Sequence, residues 1–513
     1  MIKPIFFRSL FVFLVVTFIS TLFPPFSFCE IKTITHTVKQ PFGGSLSPDD
    51  ARIAAVARAK REALEMAGAY IERLTVVKNN KVSKDEILAL ATGVLKAEVV
   101  SQNNYQSTDT RGVEVVVKVV MDTSVLEVTV RKLLQDRTHM EQLNQARKET
   151  KELLDKIADL EVENLRLMAQ NKSSDDLKKQ FQEAAQGLEA VDRFDKALAL
   201  WDINNNKYTD TNKAIEYLNE AIRLKPNYAT AYYSRGLTYA NLGQYQKEIE
   251  DYDEAIRLKP DYAIAYNNRG IAYFRLGRYQ RAIEDINEAI RLKPDYADAY
   301  YNRGIAYTVL GQHKRAIEDY NQAILLKPTE ATFYNNRGIA HGVLRQFQLA
   351  VEDADKAIRL KPDYADAYYN RGIAYADLGQ YQRAISDYDE AIRLKPDYAN
   401  AYYCRGIAYS NLGQHKRAIE EYNQLIRLKP NDAGAYITRG LTYGMGLGQS
   451  QRAIEDFNKA ISLKPDSASA YSNRGRVYIF SNNMRDGCRD MKKACELGDC
   501  EGYEFAKSKT LCR

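Results

Sequence analysis

The sequence predicts a mainly α-helical chain in which a small α+β domain and a long helix precede a solenoid of helix pairs. Proline recurs every 34 residues from Pro226 to Pro430, and again at Pro465 after one inserted residue. Each proline closes a near-copy of one phrase, seen most clearly at 261–294. A period of this length indicates units that bury their apolar faces only by stacking on their neighbours.

Each copy contains two helical stripes separated by a turn. In the copy at 261–294, small and aromatic residues recur at steps of three and four in both halves, which is typical of two amphipathic helices. Leu276-Gly277 stands between them, where glycine suits the left-handed residue that ends a helix. The first stripe is Ala263, Tyr266, Gly270 and Tyr273, and the second is Ala282, Ile283, Ile286, Ala289 and Ile290.

The spacing of these residues, with the closing Pro294, resembles the tetratricopeptide repeat almost position by position. The resemblance covers eight copies and implies a right-handed α-solenoid whose first helices line a concave groove. A degenerate helical unit at 214–226 precedes the copies, within a segment 171–226 that also holds a linker. The copies are 227–260, 261–294, 295–328, 329–362, 363–396, 397–430, 431–465 and 466 to about 498.

The fourth copy departs most from the pattern. Arg345 replaces the turn glycine, His341 the second tyrosine and Ala354 a bulky apolar residue. A non-glycine residue in a left-handed turn costs roughly 1–2 kcal/mol, and alanine removes core volume. We expect the weakest joint of the solenoid there, with neutral drift in a tolerant array as the alternative.

The overall charge gives no sign of a nucleic-acid partner. The net charge is +6, and Lys3 and Arg8 near the N-terminus contribute two of those charges. The remainder is nearly balanced, which argues against a DNA-binding footprint. Basic residues before each proline, such as Arg291 and Lys293, predict a basic rim that favours acidic protein partners.

Residues 1–29 are predicted to be a signal peptide. Lys3 and Arg8 precede the apolar run 10–23, and Ser27-Phe28-Cys29 offers a cleavage site. We therefore expect an exported protein, periplasmic or associated with the outer membrane. Two alternatives stay open, an uncleaved segment that anchors the chain in a membrane and lipidation at Cys29, for which Phe28 is a poor neighbour.

Four of the six cysteines lie in the last 26 residues, and export makes disulfides the natural interpretation. Cys488 and Cys495 stand on one predicted helix about 10 Å apart along its axis, too far to bridge. The open pairings are therefore Cys488–Cys500 with Cys495–Cys512, or Cys488–Cys512 with Cys495–Cys500. Either one pins the tail 499–513. A zinc site lacks the CxxC pair and the nearby histidine that it would need.

Residues 30–123 differ in composition from the copies and carry no repeat. Alternating apolar residues predict strands, and Ser47-Pro48 and Ser83 are helix-start signals. The resulting β-α-α-β-β order defines a small α+β domain. Its predicted elements are a strand at 30–40, helices at 51–74 and 83–91, and strands at 94–106 and 112–122.

The segment 55–102 resembles the N-terminal domain of the flagellar assembly protein T and of related bacterial outer-membrane lipoproteins. The matching features are the Ala-Arg-Ala-Lys-Arg-x-Ala helix at 57–63, the Ser-Lys-Asp-Glu-Ile cap at 83–87, and Gly93 before a strand. The resemblance implies a cell-envelope setting and no enzymatic role. The acylated cysteine of those lipoproteins is not matched convincingly here.

A charged helix is predicted over 124–170. Its core positions between Leu143 and Leu167 alternate three- and four-residue steps, with Ile157 and Asn164 at the first position and leucine at the second. This is the pattern of a parallel dimeric coiled coil in which a buried asparagine fixes the register, so a homodimer through 143–167 is one interpretation. The alternative is a long helix that folds onto the α+β domain or the solenoid.

No motif in the sequence indicates catalysis, a cofactor or a metal. The five histidines are scattered, and no Walker loop, nucleophile elbow or zinc-protease helix occurs. We therefore expect a protein that is not an enzyme and needs no metal or cofactor.

A row of polar residues recurs at the sixth position of each copy, counted from the alanine after the proline. The row resembles the asparagine ladder in the superhelix of the O-linked N-acetylglucosamine transferase, which holds extended peptides by their backbones. A primary amide suits this task because it both donates and accepts hydrogen bonds. No glycosyltransferase domain follows, so only the binding mode carries over, and hydrogen bonding between repeats is the alternative role. The row is Ser234, Asn268, Asn302, Asn336, Asn370, Cys404, Thr438 and Asn473.

The fifth and seventh positions accompany this row. The fifth supplies Tyr233, Tyr301, Tyr369 and Tyr403, which we predict to add an aromatic lining. The seventh is arginine in every copy, and an aspartate recurs in the second helix, so we expect a structural ion pair that adds little where it is exposed. The recurring aspartates are Asp251, Asp285, Asp319, Asp353 and Asp387.

These observations predict an exported, non-enzymatic scaffold that binds extended protein segments in its concave groove within the bacterial cell envelope. Two alternatives remain open. One is a structural assembly factor of an envelope or flagellar complex that acts through residues 30–170. The other is a scaffold of a polysaccharide-secretion machine, whose tyrosines and basic rim contact sugar acids.

Overall fold

The computed structural model describes residues 31–74, 77, 82–108, 110–170, 172–202, 207–509 and 511–512. They divide into two compact units, one ending at Leu276 and the other beginning at Gly277. The predicted signal peptide, 1–29, lies outside the described residues. Among the described helices, none has both the length and the apolar composition that crossing a membrane requires.

The first unit opens with a three-stranded antiparallel sheet. Strands β1 (Ile31–Phe42), β2 (Lys96–Gln106) and β3 (Arg111–Asp122) lie in the order β1-β3-β2. Side chains alternate along a strand, and the odd-numbered residues of β3 from Val113 to Met121 are fully buried. One face of the sheet is therefore core and the other faces solvent.

Two helices lie between β1 and β2 in the chain and cover the core face. In α1 (Pro48–Glu72), the Ser47 side chain accepts the Asp50 N–H, and in α2 (Lys84–Val94), Ser83 and Glu86 cap each other's backbone N–H groups. The predicted β-α-α-β-β order is confirmed.

The predicted helix over 124–170 is two helices. Helix α3 spans Thr123–Gln135 and α4 spans Arg137–Ala169. Asp136 stands between them and accepts the backbone N–H of His139 at 3.0 Å, which caps the start of α4. Helix α5 (Asp175–Leu198) follows after a short connection and packs against α4.

The apolar stripe of α4 is buried within its own chain. Leu143 and Ala146 belong to the core around the sheet, whereas Leu154, Ile157 and Leu160 pack against the start of α1 and against α5. The predicted coiled-coil dimer through 143–167 is therefore wrong. The structure has the alternative arrangement, in which the helix folds onto the α+β domain.

Asn164 explains why the pattern suggested a dimer. Its Oδ1 accepts the backbone N–H of Ser45 at 2.8 Å, and its Nδ2 donates to the carbonyl of Gly43 at 2.9 Å. A buried asparagine on an apolar stripe needs a polar partner, and here the turn after β1 supplies it. Asn164 occupies the same position in the apolar stripe as an asparagine that fixes the register of a coiled-coil dimer.

Helix pairs make up the rest of the chain. Helix α5 packs on α6 as a degenerate first pair, with a short ribbon of β4 and β5 between them in sequence. In the first unit these elements are β4 (Trp201–Asp202), β5 (Lys207–Tyr208), α6 (Thr211–Leu224), α7 (Ala229–Asn241), α8 (Tyr245–Leu258) and α9 (Ala263–Arg275).

The second unit continues the repeat. One residue more than the period is absorbed by a π-helical turn at Thr442–Gly446. Its helices are α10 (Tyr279–Leu292), α11 (Ala297–Val309), α12 (His313–Leu326), α13 (Ala331–Val343), α14 (Phe347–Leu360), α15 (Ala365–Asp377), α16 (Tyr381–Leu394), α17 (Ala399–Asn411), α18 (His415–Leu428), α19 (Ala433–Leu441), α20 (Ser450–Leu463), α21 (Ala468–Phe480), α22 (Met484–Glu496) and α23 (Glu501–Ser508).

Two disulfides fix the end of the chain. Cys488 pairs with Cys512, and Cys495 pairs with Cys500, which is the second of the two pairings that the sequence left open. Cys512 lies in a small core with Met491, so the first bond joins α22 to the end of the chain. The second spans the turn between α22 and α23.

Candidate functional site

The predicted amide row lies on the first helix of successive pairs. Asn268 is on α9 in the first unit, while Asn302, Asn336, Asn370 and Asn473 are on α11, α13, α15 and α21 in the second. All five are half-buried, because each stands between the buried alanine and glycine positions of its helix and the surface.

In the first unit, Asn268 is held by the preceding repeat. Its Nδ2 donates to the hydroxyl of Tyr233 at 2.9 Å, and its Oδ1 accepts from Asn267 at 3.1 Å. Tyr233 is fully buried, with its ring 5.6 Å from that of Tyr252 and 5.2 Å from that of Tyr262. The prediction that Tyr233 contributes to an aromatic lining is therefore wrong.

Ser234 marks the end of the row in the first unit. It is fully buried, and its hydroxyl accepts a hydrogen bond from Nε2 of Gln142 on α4 at 3.0 Å. The long helix thus occupies the surface beside this position. A small side chain is needed there, which accounts for serine in place of asparagine.

In the second unit the amides again bond to the repeat before them. Asn336 Nδ2 donates to the hydroxyl of Tyr301 at 2.7 Å, and Asn370 Nδ2 donates to Oδ1 of Asn335 at 2.9 Å. Repeat-to-repeat hydrogen bonding, the alternative role for the row, is therefore present. A primary amide has two N–H donors and an oxygen acceptor, so one such bond leaves capacity for a ligand.

The three remaining tyrosines of the fifth position differ in exposure. Tyr301 and Tyr369 are half-buried, with ring centroids 4.7 Å from Phe333 and 4.9 Å from Tyr398, and Tyr403 is 38% exposed. Burial raises the pKa of Tyr301, so its hydroxyl keeps its proton at neutral pH. These rings are partly accessible beside the amides.

The seventh-position arginine forms the predicted ion pair. Arg303 donates from Nε and Nη2 to the two carboxylate oxygens of Asp319, at 2.8 and 2.6 Å. The same guanidinium donates from Nη1 to Asn287 at 2.6 Å, on the second helix of the preceding pair. Each such arginine joins two repeats. Equivalent ion pairs are made by Arg235, Arg337, Arg371, Arg405, Arg439 and Arg474.

Sequence reasoning missed the second partner of these arginines. A signal was present, because asparagine or aspartate recurs with the repeat period at this position, as in Asn287, Asn321 and Asp355. One arginine of the predicted basic rim has an acidic partner of its own. Arg291 is paired with Glu288 at 2.6 Å, which offsets its charge.

The described residues contain no group of three or more His, Cys, Asp or Glu side chains placed to hold a metal ion. Cys404, in the amide row, is free, and burial raises the pKa of its thiol. A protonated thiol is a poor nucleophile. The residues of the amide row and their neighbouring tyrosines therefore offer hydrogen bonds and apolar contact.

Comparison with protein families identifies the repeats. A model described as TPR repeat matches residues 210–243, 241–277, 346–379, 374–413 and 447–479. Two models described as tetratricopeptide repeat match 267–331 and 399–432. The chain therefore contains tetratricopeptide repeats, a helical architecture that serves protein–protein interaction. These matches begin at residue 210, so none tests the predicted resemblance of the segment 55–102 to the flagellar assembly protein.

Solved structures are similar to part of the chain. YrrB, described as a TPR protein with an unusual peptide-binding site, is 25% identical, over 37% of this chain and 96% of that one, with a TM-score of 0.32. MamA from Desulfovibrio magneticus is 26% identical, over 33% and 96%, with a TM-score of 0.31. A tetratricopeptide repeat protein from Parabacteroides merdae is 22% identical, over 48% and 96%, with a TM-score of 0.39. Comparison with curated proteins gives no match.

Proposed function

We propose that this protein is an exported, non-enzymatic scaffold that binds an extended segment of a partner protein along its first helices. The observation that carries the proposal is the row of half-buried amides, of which Asn268, Asn336 and Asn370 are held in place by the preceding repeat. Asn336 and Asn370 are oriented by bonds of 2.7 and 2.9 Å. Fixing a side chain before binding lowers the entropy lost on binding.

The chemistry of the row suits a peptide backbone. A backbone presents one N–H and one C=O per residue whatever its side chains, and an amide side chain can pair with either. The half-buried rings of Tyr301 and Tyr369 lie beside the amides and offer apolar contact. A partner is thus held mainly by its main chain, with side chains contributing locally.

Three features support the envelope setting. Residues 1–29 have the pattern of a signal peptide, and the segment 55–102 resembles envelope and flagellar-assembly domains. Both disulfides, Cys488–Cys512 and Cys495–Cys500, suit an oxidising compartment outside the cytoplasm.

Capture from a cell-envelope extract tests the proposal. Immobilised residues 30–513 would be compared with a variant carrying Asn302→Ala, Asn336→Ala and Asn370→Ala. We expect a protein that the native chain retains and the variant loses, identified by mass spectrometry. Cross-links from that protein to α11, α13 or α15 would locate it on the row.

A matched variant controls for the loss of three asparagines. Asn103, Asn104 and Asn431 are exposed and lie outside the row, so replacing them with alanine should leave capture unchanged. Equal capture by the native and row-variant proteins, with both folded, would refute binding through the amides.

A second candidate is an envelope assembly factor that acts through the first unit. Val162, Leu165 and Met168 on α4 are 69%, 66% and 43% exposed, although the rest of that helix has a well-covered stripe. A cavity of about 490 Å³ opens beside Leu165 and Met168, against the end of β1. Retention of the partner by the row variant, with loss on Leu165→Ser, would favour this function.

A further inference from the structure

A large side chain fills the same interior position in most helix pairs. In the first unit, Tyr252 lies against Gly236, with its Cε1 2.7 Å from where a Cβ on that glycine would stand. Tyr320 lies against Gly304 in the same way at 2.6 Å. Glycine is needed in the first helix because the ring occupies the place of its side chain. The other members of this position are Ile286, Tyr388, Tyr422, Phe457 and Met491.

The fourth copy lacks this side chain. Ala354 holds the position on α14, and the nearest atom to a Cβ on Gly338 is Cβ of the neighbouring Asp353, at 3.2 Å. The helix spacing is kept, because the corresponding distance in the seventh copy, from a Cβ on Gly440 to Cβ of Asp456, is also 3.2 Å. The ring is missing but the glycine that accommodates it is present.

An open cavity of about 330 Å³ stands at this place, with Gly338, Ala350 and Ala354 in its wall. Ligand pockets in proteins begin at about 300 Å³, so the space admits an aromatic side chain. We call it the repeat-four pocket. Its mouth carries Asn370, one of the amides that we propose to bind the partner's backbone, and Asp377.

We propose that the repeat-four pocket binds an aromatic side chain of the partner segment, from a residue followed two positions later by lysine or arginine, since alternate side chains of an extended segment lie on one face. The proposal rests on the proposed function, because Asn370 would hold the backbone of that segment. The pocket's shape favours a planar ring, since a tyrosine fills the equivalent space in four other copies.

The basic neighbour follows from the charge at the mouth. Asp377 is exposed and forms no ion pair with any described lysine, arginine or histidine. The corresponding residues of the copies on either side, Val343 and Asn411, are uncharged. An unpaired carboxylate beside an apolar pocket attracts a cation on the ligand, so a basic side chain next to the ring completes the contact.

Two labelled peptides test the proposal by fluorescence anisotropy. The first is fluorescein-labelled Ser-Thr-Ser-Thr-Phe-Thr-Arg-Thr-Ser-Thr, whose background favours an extended chain, and the second has alanine in place of phenylalanine. On the native chain we expect the phenylalanine peptide to bind at least about tenfold more tightly, from burial of the ring.

Ala354→Tyr is the decisive variant, because it restores the residue found in other copies and fills the pocket. It should fold at least as stably as the native chain and bind both peptides with equal, weaker affinity. Ala354→Ser, which leaves the space open, should keep the preference for phenylalanine. Asp377→Asn should weaken binding of the arginine peptide while retaining the preference for phenylalanine over alanine.

Three results of these measurements would overturn the proposal for the repeat-four pocket. Equal binding of both peptides to the native chain would overturn the pocket while leaving backbone binding intact. Binding of neither peptide would also overturn it, and the proposed function would still be decided by capture with the Asn302, Asn336 and Asn370 variant. Self-association of the native chain that Ala354→Tyr abolishes would assign the pocket to a second copy and refute the proposal.

Discussion

Arg345 occupies the turn of the fourth copy with a backbone φ of 61°, where other copies have glycine, such as Gly311 and Gly379 at 72° and 74°. A non-glycine residue in this backbone region is strained by about 1–2 kcal/mol, which glycine would relieve. Glycine also gives the unfolded chain more conformational entropy, and this offsets about 0.5–1 kcal/mol of the stability gained. Arg345→Gly should therefore raise the free energy of unfolding by roughly 0.5–1 kcal/mol, seen as a higher urea midpoint.

Asn482 provides the matched control. It also has a φ of 61°, but asparagine tolerates the left-handed region, so Asn482→Gly should shift the midpoint less. A midpoint for Arg345→Gly at or below the native value would show that the turn stores no strain.

Glu248 makes stability depend on pH. It is 2% exposed and stands where other copies have alanine, such as Ala282 and Ala316. Burial raises its pKa to about 7, although Arg275 lies 4.0 Å away. The unfolded carboxyl loses its proton near 4.5, so the folded chain binds more protons between these values. Stability should fall as pH rises from about 4.5 through about 7.

Glu248→Gln keeps the shape of the side chain and removes this titration. We expect the variant to be more stable than the native chain at about pH 8, on the order of 1 kcal/mol, with a smaller difference at about pH 5. Urea midpoints at both pH values measure the effect, and a difference that does not change with pH would exclude Glu248 as its source.

At the residue scale, features that recur with the repeat period were predictable from the sequence, and contacts made in one copy alone were not. The amide row and the ion pair of Arg303 with Asp319 follow from the period, since the asparagine recurs in five of the eight copies and the arginine in all of them. Ser234 holds the same position as Asn336, but it is buried under Gln142, and α4 lies outside the repeat. No periodic pattern could reveal that contact.

At the scale of elements, α4 shows the limit of an apolar stripe. The apolar stripe predicts that one face of α4 is covered. Packing against a second copy and packing against the chain's own α1 and α5 require the same spacing of apolar residues, so the stripe does not distinguish between them. The helix caps were predictable because they are local, as at Ser47 and Ser83. The cover of α4 depends on residues far away in sequence.

Asn164 tests the folded arrangement of α4. Asn164→Ala would leave the N–H of Ser45 without its partner, and Ser45 is only 3% exposed. An unsatisfied buried donor costs about 1–3 kcal/mol, so we expect the urea midpoint of the first unit to fall. The fluorescence of Trp201 monitors this unfolding. Asn103→Ala, on an exposed position, should have little effect. If Asn164→Ala instead dissociates a dimer at unchanged stability, α4 is a dimer helix.

At the scale of the whole molecule, stability in such an array is a sum of terms within and between neighbouring repeats. The fourth copy combines the strained Arg345 with the missing ring at Ala354, so we expect α13 and α14 to open first within the second unit. Amide hydrogen exchange should be faster there than in α15 and α16. Ala354→Tyr should slow it, and equal exchange in both copies would contradict a weak joint.

The solenoid was readable from the sequence because one phrase, repeated, fixes one pair of helices many times. The repeat-four pocket was readable only in part. Ala354 in the sequence predicts a smaller side chain in the core, but a core can collapse around a missing side chain. Only the structure shows that Gly338 and its helix stay in place.

In the proposed function, the amides bind a partner in addition to joining repeats. Asn336 and Tyr301 share one hydrogen bond, so Asn336→Ala and Tyr301→Phe both remove it, but only the first removes the amide. The affinity of the captured partner for each variant is the measurement. We predict about tenfold weaker binding to Asn336→Ala and near-native binding to Tyr301→Phe. Equal affinities for the two variants would show that Asn336 only joins the repeats.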